Sequence, residues 1–272
     1  MAKEGVVYTP HTLSIRIHTD GFCFCERLAE ESSTVVLHWL WHPLDPVQSF
    51  AVNMSRFLTE HDLTSDKYKQ IEIINAIGRY TLLPGDLYHE GEESTLFKYN
   101  QRPAPESEKL FTEPWKNPGA TLIYSLNKQA AELLARQFPQ AAYRSHLSLL
   151  YAYCEKEAKE EENLVTLYLH EKKADIMAFA KGKLTYLNSF ASKESGDTAY
   201  YLLSVWKMLN MSQEDTPLLL AGDETEIGKM REGIKDFVTN LRPANLPRSF
   251  NDIPSSRGRR MPFDLQLLLC ES

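Results

Sequence analysis

Basic charge, cysteine and long apolar runs are all scarce in this chain, and each scarcity excludes a class of protein. Lys and Arg total 30 against 37 Asp and Glu, a formal charge of −7, which excludes nucleic-acid binding through a global positive field. Four cysteines in 272 residues, Cys23, Cys25, Cys154 and Cys270, are too few for a disulfide framework. No apolar run approaches the roughly 18 residues of a membrane span, and the run Val35 to Trp41 already contains His38. The segment Met1 to Pro10 lacks the apolar centre of a secretory signal. The expectation is a cytoplasmic protein with reduced thiols, no nucleic-acid partner and no membrane span. Three motifs are absent as well: Gly-x-Gly-x-x-Gly, the P-loop pattern and the Gly-x-Ser-x-Gly elbow, so nothing supports a dinucleotide, Walker-type or serine-hydrolase site.

What is present is an ordinary globular balance, 43% hydrophobic and 25% charged, long enough for about two domains or one large one. Leu13-Ser-Ile-Arg-Ile17 alternates as a half-buried strand does, Asp20-Gly21 marks a tight turn, and Phe22 to Arg27 reads as the returning strand. Val35 to Trp41 is a third strand, Val47 to Glu60 a helix and Lys69 to Ile74 a fourth strand. Residues 84–119, with Pro103, Pro105, Pro114 and Pro118 in their second half, read as an irregular insertion. A short strand, Thr121 to Tyr124, and a helix, Asn127 to Phe138, follow; Tyr143 to Cys154 reads as a further helix. The charge run Glu155 to Glu162 reads as a solvated helix end at a boundary between halves.

Beyond it the opening order recurs. Leu164 to Leu169, Ile176 to Phe179 and Leu184 to Phe190 are strands, joined by turns at 170–175 and 181–182. Asp197 is placed to cap a helix carrying Leu202, Val205, Trp206 and Leu209. A strand, Pro217 to Ala221, leads through Gly222-Asp223 into an amphipathic helix running from Ile227 to Leu241. Phe263 to Cys270 starts with strand-like alternation and reads as a terminal element docked on the core. The fold class is α/β: two halves, 1–155 and 156–272, each built on β-β-β-α-β-α with mixed sheets flanked by helices.

This element order, with Lys181-Gly-Lys183, Gly196-Asp197 and Leu218-Leu-Leu-Ala-Gly-Asp223 in the second half, resembles the actin-like (ribonuclease H-like) ATPase superfamily. It is similar to the pilus-assembly and cell-division branch, and to a bacterial family of uncharacterised proteins ascribed to that fold. The resemblance implies two phosphate-facing hairpins, each with an acid and glycines, an adenosine loop of paired glycines, and ATP with Mg²⁺ as cofactors.

Set against those implications, the first hairpin offers Asp20 and Gly21, with His18 about where the usual acid would stand. The second, His170-Glu-Lys-Lys173, has no glycine; Lys172 or Lys173 offers only charge, and Asp175 follows the turn instead of preceding it. The adenosine loop is reduced to Gly222 and Asp223, and Asp223 is explained more simply as a helix N-cap. Three weakened motifs point to a non-catalytic binding or scaffolding module with a protein partner, for which the proline-rich 100–119 segment is one candidate surface. The alternative is an active Mg²⁺-dependent ATPase or small-molecule kinase, with Asp20 and Asp175 as its carboxylates, Gly21 at phosphate and Gly222 at adenosine.

No metal site is expected. His18, Cys23, Cys25, His38 and His42 cluster in sequence, but strand alternation places the two cysteines on one face of their strand and the last two histidines on a face of the next. The basic group Arg257, Arg259 and Arg260 reads as a solvated loop, the alternative being a hold on an anionic ligand or partner.

Overall fold

Leu13, Ile15 and Ile17 project to one side of the first strand and are fully buried, so the opening alternation does mark a core face. The computed structural model describes residues 9–29, 35–77, 79–101, 107–246, 255–256 and 258–271. Two compact units divide the chain. The first holds residues 1–146 and 255–259, the second residues 147–254 and 260–272.

In the first unit, β1 (Thr9–His18), β2 (Gly21–Ala29) and β3 (Val35–Pro43) form an antiparallel meander. The helix α1 (Phe50–Glu60) returns the chain to β4 (Gln70–Asn75), which runs parallel to β1. The helix starts at Phe50, three residues later than its periodicity suggests, because buried Asn53 ties the preceding loop. The Asn53 amide donates to the carbonyls of Asp45, Gln48 and Ser49, and its Oδ1 accepts from the Asp45 N–H at 2.7 Å.

Next come β5 (Tyr80–Pro84), α2 (Glu93–Asn100), β6 (Glu108–Trp115), β7 (Ala120–Asn127), α3 (Lys128–Gln137) and β8 (Ala142–Ser145). The segment 84–119 is therefore not an irregular insertion: it contributes α2 and β6. Pro114 sits in β6 without breaking it, because β6 is an edge of the three-stranded sheet β5-β7-β6, where a missing N–H costs no ladder bond. The main sheet has the order β3-β2-β1-β4-β8, and Met54, Phe57, Leu134 and Phe138 of the α1 and α3 region pack on it.

The helix α4 (His146–Glu157) begins on the last residue of the first unit's longer segment, and Tyr143 to Ser145, expected to be helical, belong to strand β8 instead. The second unit repeats the meander as β9 (Asn163–His170), β10 (Lys173–Ala180) and β11 (Lys183–Ala191). It continues through α5 (Ser195–Met208), β12 (Leu218–Gly222), α6 (Glu224–Ile234) and the short β13 (Leu241–Pro243). Its sheet order, β11-β10-β9-β12-β13, matches that of the first unit strand for strand. Trp206, Leu218, Leu220, Met230 and Ile234 fill its core.

Two helix boundaries differ from the sequence reading. Asp197 is not the cap of α5 but its third residue, reaching back to the N–H of the cap Glu194 in a reciprocal capping box. The helix α6 stops at Ile234, leaving Phe237 half exposed and Leu241 in β13. The terminal segment is the helix α7 (Phe263–Glu271), with Leu265, Leu267, Leu268 and Leu269 all buried. No described helix is long and apolar enough to cross a membrane.

Candidate functional site

Both meanders turn over immediately after a histidine, His18 closing β1 and His170 closing β9. In the first hairpin the His18 imidazole is buried, and its Nδ1 donates to Asp20 Oδ1 at 2.6 Å. The other carboxylate oxygen of Asp20 accepts from Arg259 Nη2 at 3.0 Å. Burial raises the Asp20 carboxyl, but the hydrogen bond and charge of His18, followed by those of Arg259, outweigh it and hold the group below the usual carboxylate range.

Arg259 is positioned by its own turn. Ser256 and Arg259 exchange both backbone hydrogen bonds, Ser256 Oγ accepts from the Trp41 N–H at 3.1 Å, and the Arg259 guanidinium lies 3.7 Å from the Trp41 ring centroid. The remote basic group thus supplies a partner to the first hairpin. Arg260 pairs with Glu224 instead, and Arg257 lies outside the described residues.

The second hairpin contains a denser cluster. His170 Nδ1 donates to Glu171 Oε2 at 2.6 Å, and Nε2 donates to Asp175 Oδ2 at 2.7 Å; Ser189 Oγ donates to the remaining Asp175 oxygen. Burial pushes the imidazole pKa down, yet the two carboxylates prevail and raise it to about 9. The imidazolium therefore bridges two anions at neutral pH, with Tyr168 stacked 4.6 Å away. The turn itself is Glu171 and Lys172, both at positive φ, and Lys172 is exposed at its tip.

The expected glycines have steric explanations. A Cβ on Gly21 would lie 2.4 Å from the His42 carbonyl oxygen, so glycine lets β2 close against β3. Gly222 has φ +128°, and a Cβ there would lie 2.1 Å from the Leu169 oxygen, where β12 meets β9 in parallel. Asp223 is the N-cap of α6, its Oδ1 accepting from the N–H groups of Thr225 at 2.9 Å and Glu226 at 3.2 Å.

Within the first unit, Asp20, Gly21, His18 and Arg259 are neighbours. Within the second, Asp175 joins His170, and Gly222 pairs with the residue just before His170. Two participants escaped the sequence reading. Arg259 is 239 positions from Asp20, a separation no local pattern spans. The sequence pattern places His170 only in a turn, yet a histidine ends the first strand of each meander.

Two meanders with crossover helices, in the same strand order and each turning at a hairpin, define the actin-like ATPase fold, and that is the class of this protein. A solved structure from Bacteroides thetaiotaomicron VPI-5482, described as having an actin-like ATPase fold and unknown function, superposes with a TM-score of 0.80. It is 26% identical and covers 96% of both chains. A second, from the PilM–PilN type IV pilus biogenesis complex, reaches a TM-score of 0.55 at 12% identity, covering 87% of this chain and 89% of that one. The chain belongs to the family described as protein of unknown function (DUF3822), whose model matches residues 8–241. No curated protein matches it.

Proposed function

We propose that this protein is a non-catalytic member of the actin-like fold, acting as a binding or scaffolding module for a protein partner in the cytoplasm. The observation that carries the reading is the occupation of its hairpin carboxylates by the chain's own residues. Phosphoryl chemistry in this fold class asks its hairpins for carboxylates that organise Mg²⁺ and water, with backbone N–H groups open to phosphate. Here Asp20 is bonded to His18 and Arg259, and Asp175 to His170 and Ser189. Gly21 and Gly222 answer strand closure, and Asp223 caps a helix. That one structural relative was solved within a two-protein complex is consistent with a partner-binding role.

Calorimetry and thermal shift with Mg-ATP, with Mg-ADP and without nucleotide test this reading. The expected result is no heat and no stabilisation at millimolar nucleotide. Micromolar binding that Asp20→Ala abolishes would replace it with an active ATPase or kinase using Asp20, Asp175, Gly21, Lys172 and Gly222.

A further inference from the structure

Away from both hairpins, the end of α1 and the end of β3 bring two imidazoles and a carboxylate to one point. His61 Nε2 lies 3.3 Å from His42 Nδ1, and Glu60 Oε2 lies 3.8 Å from the same His42 nitrogen. One potential ligand atom from each of the three residues lies within 4.8 Å of the others. We propose that His42, Glu60 and His61 form a binding site for a divalent transition-metal ion, zinc by its donor set, with the remaining coordination position open to water.

The spacing fits such an ion. With metal–nitrogen bonds of about 2.0–2.1 Å at tetrahedral angles, two ligating nitrogens stand about 3.3 Å apart. The Glu60 oxygen is roughly half an ångström wide of that spacing from His42 Nδ1, and Glu60, with half its side chain exposed, can supply the adjustment by rotation. Two nitrogens and one oxygen favour zinc and its neighbours over Mg²⁺ or Ca²⁺, which take oxygen donors.

The donors are also held before any ion arrives. Glu60 is the last residue of α1 and His61 its C-cap. The chain beyond forms a Schellman motif, with the Leu63 N–H on the Leu58 carbonyl at 3.0 Å, the Asp62 N–H on that of Thr59 at 3.2 Å, and Asp62 at positive φ. His42 is fixed by its pairing with Phe22, and its side chain is 6% exposed. Phe57 packs 5.6 Å from the His42 ring and 5.4 Å from that of His61, which Phe24 also meets at 5.2 Å. These rings form an apolar wall behind the donors.

Electrostatics act in both directions. The last turn of α1 carries no basic residue, so the negative end of its dipole faces the cluster and favours a cation. Arg56 opposes this from one turn back, but its Nε is directed to the other Glu60 oxygen at 3.6 Å and its Nη1 to Asp45 at 3.6 Å.

The test uses the untagged full chain, stripped with a chelator and shown to be folded by circular dichroism. Zn²⁺ is titrated by calorimetry, and Co²⁺ is followed by its visible ligand-field bands, which Zn²⁺ should then displace. One equivalent is expected at this site. His61→Ala should weaken binding by more than the ~10–100-fold that loss of a mere supporting group costs, and Glu60→Gln should weaken it less. Both residues are partly exposed, so both variants should fold, and the Zn²⁺-induced rise in Tm should shrink with affinity. His38→Ala, which removes the exposed histidine paired with Glu26, should change nothing. A folded wild-type chain that takes up no Zn²⁺, or uptake undiminished in His61→Ala and Glu60→Gln, overturns the site.

Discussion

Asp20 and His170 show how the side chains of a hairpin can be engaged by residues of the same chain. In the first hairpin His18 stands about where the resemblance to actin-like proteins places an acid, and the acid two residues on, Asp20, has both oxygens bonded, to His18 and Arg259. Identity was legible in the sequence; occupation was not, because Arg259 arrives from the far end of the chain. His170 makes a prediction possible from the sign of its shift. Its folded pKa, about 9, exceeds the ordinary 6.5, so the folded state holds the proton more tightly than the unfolded state between those values. The stabilisation is complete below pH 6.5 and is lost as pH rises through about 9. Urea midpoints measured across that window should fall for the wild type, and the slope should flatten in His170→Gln. Gly222 gives a second test. Adding a Cβ meets the Leu169 carbonyl at 2.1 Å in a backbone region unsuited to alanine, so Gly222→Ala should cost about 2 kcal/mol or more. Gly228 in α6 has nothing within 4 Å of its Cβ position, so Gly228→Ala should instead add about 0.5–1 kcal/mol. Denaturation of the pair separates a steric requirement from general intolerance of substitution.

At the scale of elements, alternation was the reliable guide and apolar density was not. Leu13 to Ile17 and Leu164 to Leu169 were readable because each presents residues of distinct character to its two faces or forms a continuous β-rich run. The terminal segment was readable as an element docked on the core but not as a helix, because α7 is buried on nearly every side and no 3.6-residue period separates a wet face from a dry one. The strand β8 was hidden by the apolar helix that follows it without a break. Proline counting misjudged β6, since an edge strand tolerates Pro114. Asp223 was legible, as a cap residue immediately before a helix with acids in its first turn. Asp223→Ala should therefore cost about 1 kcal/mol in urea denaturation with an unchanged m-value, whatever ligand is added. A change in nucleotide affinity in that variant would assign Asp223 to a ligand instead of to α6.

Across the whole molecule, the duplication was visible as a recurring element order, and the structure sharpens it to an identical strand order in two sheets. The metal-binding cluster could not be read in that way. His42 and the Glu60-His61 pair lie on different elements, and the histidines adjacent in sequence, His38 and His42, are not the ones that meet. Arg259→Ala tests the occupied hairpin at this scale. It should cost no more than about 1–2 kcal/mol, from a half-exposed ion pair and a cation–π contact, and should still not confer hydrolysis of Mg-ATP in a phosphate-release assay. Hydrolysis appearing in that variant would make Arg259 a reversible blocker of an intact catalytic site. The placement of residues 255–259 in the first unit has a further consequence, during synthesis. Ribosomes extend a chain at ~5–20 residues per second, so the first unit waits for residues 147–254 of the second unit to be translated before its own final segment emerges. Until then the Trp41 ring and the outer oxygen of Asp20 lack their Arg259 partner, and a nascent chain stopped short of residue 255 would present both to the ribosome's surroundings.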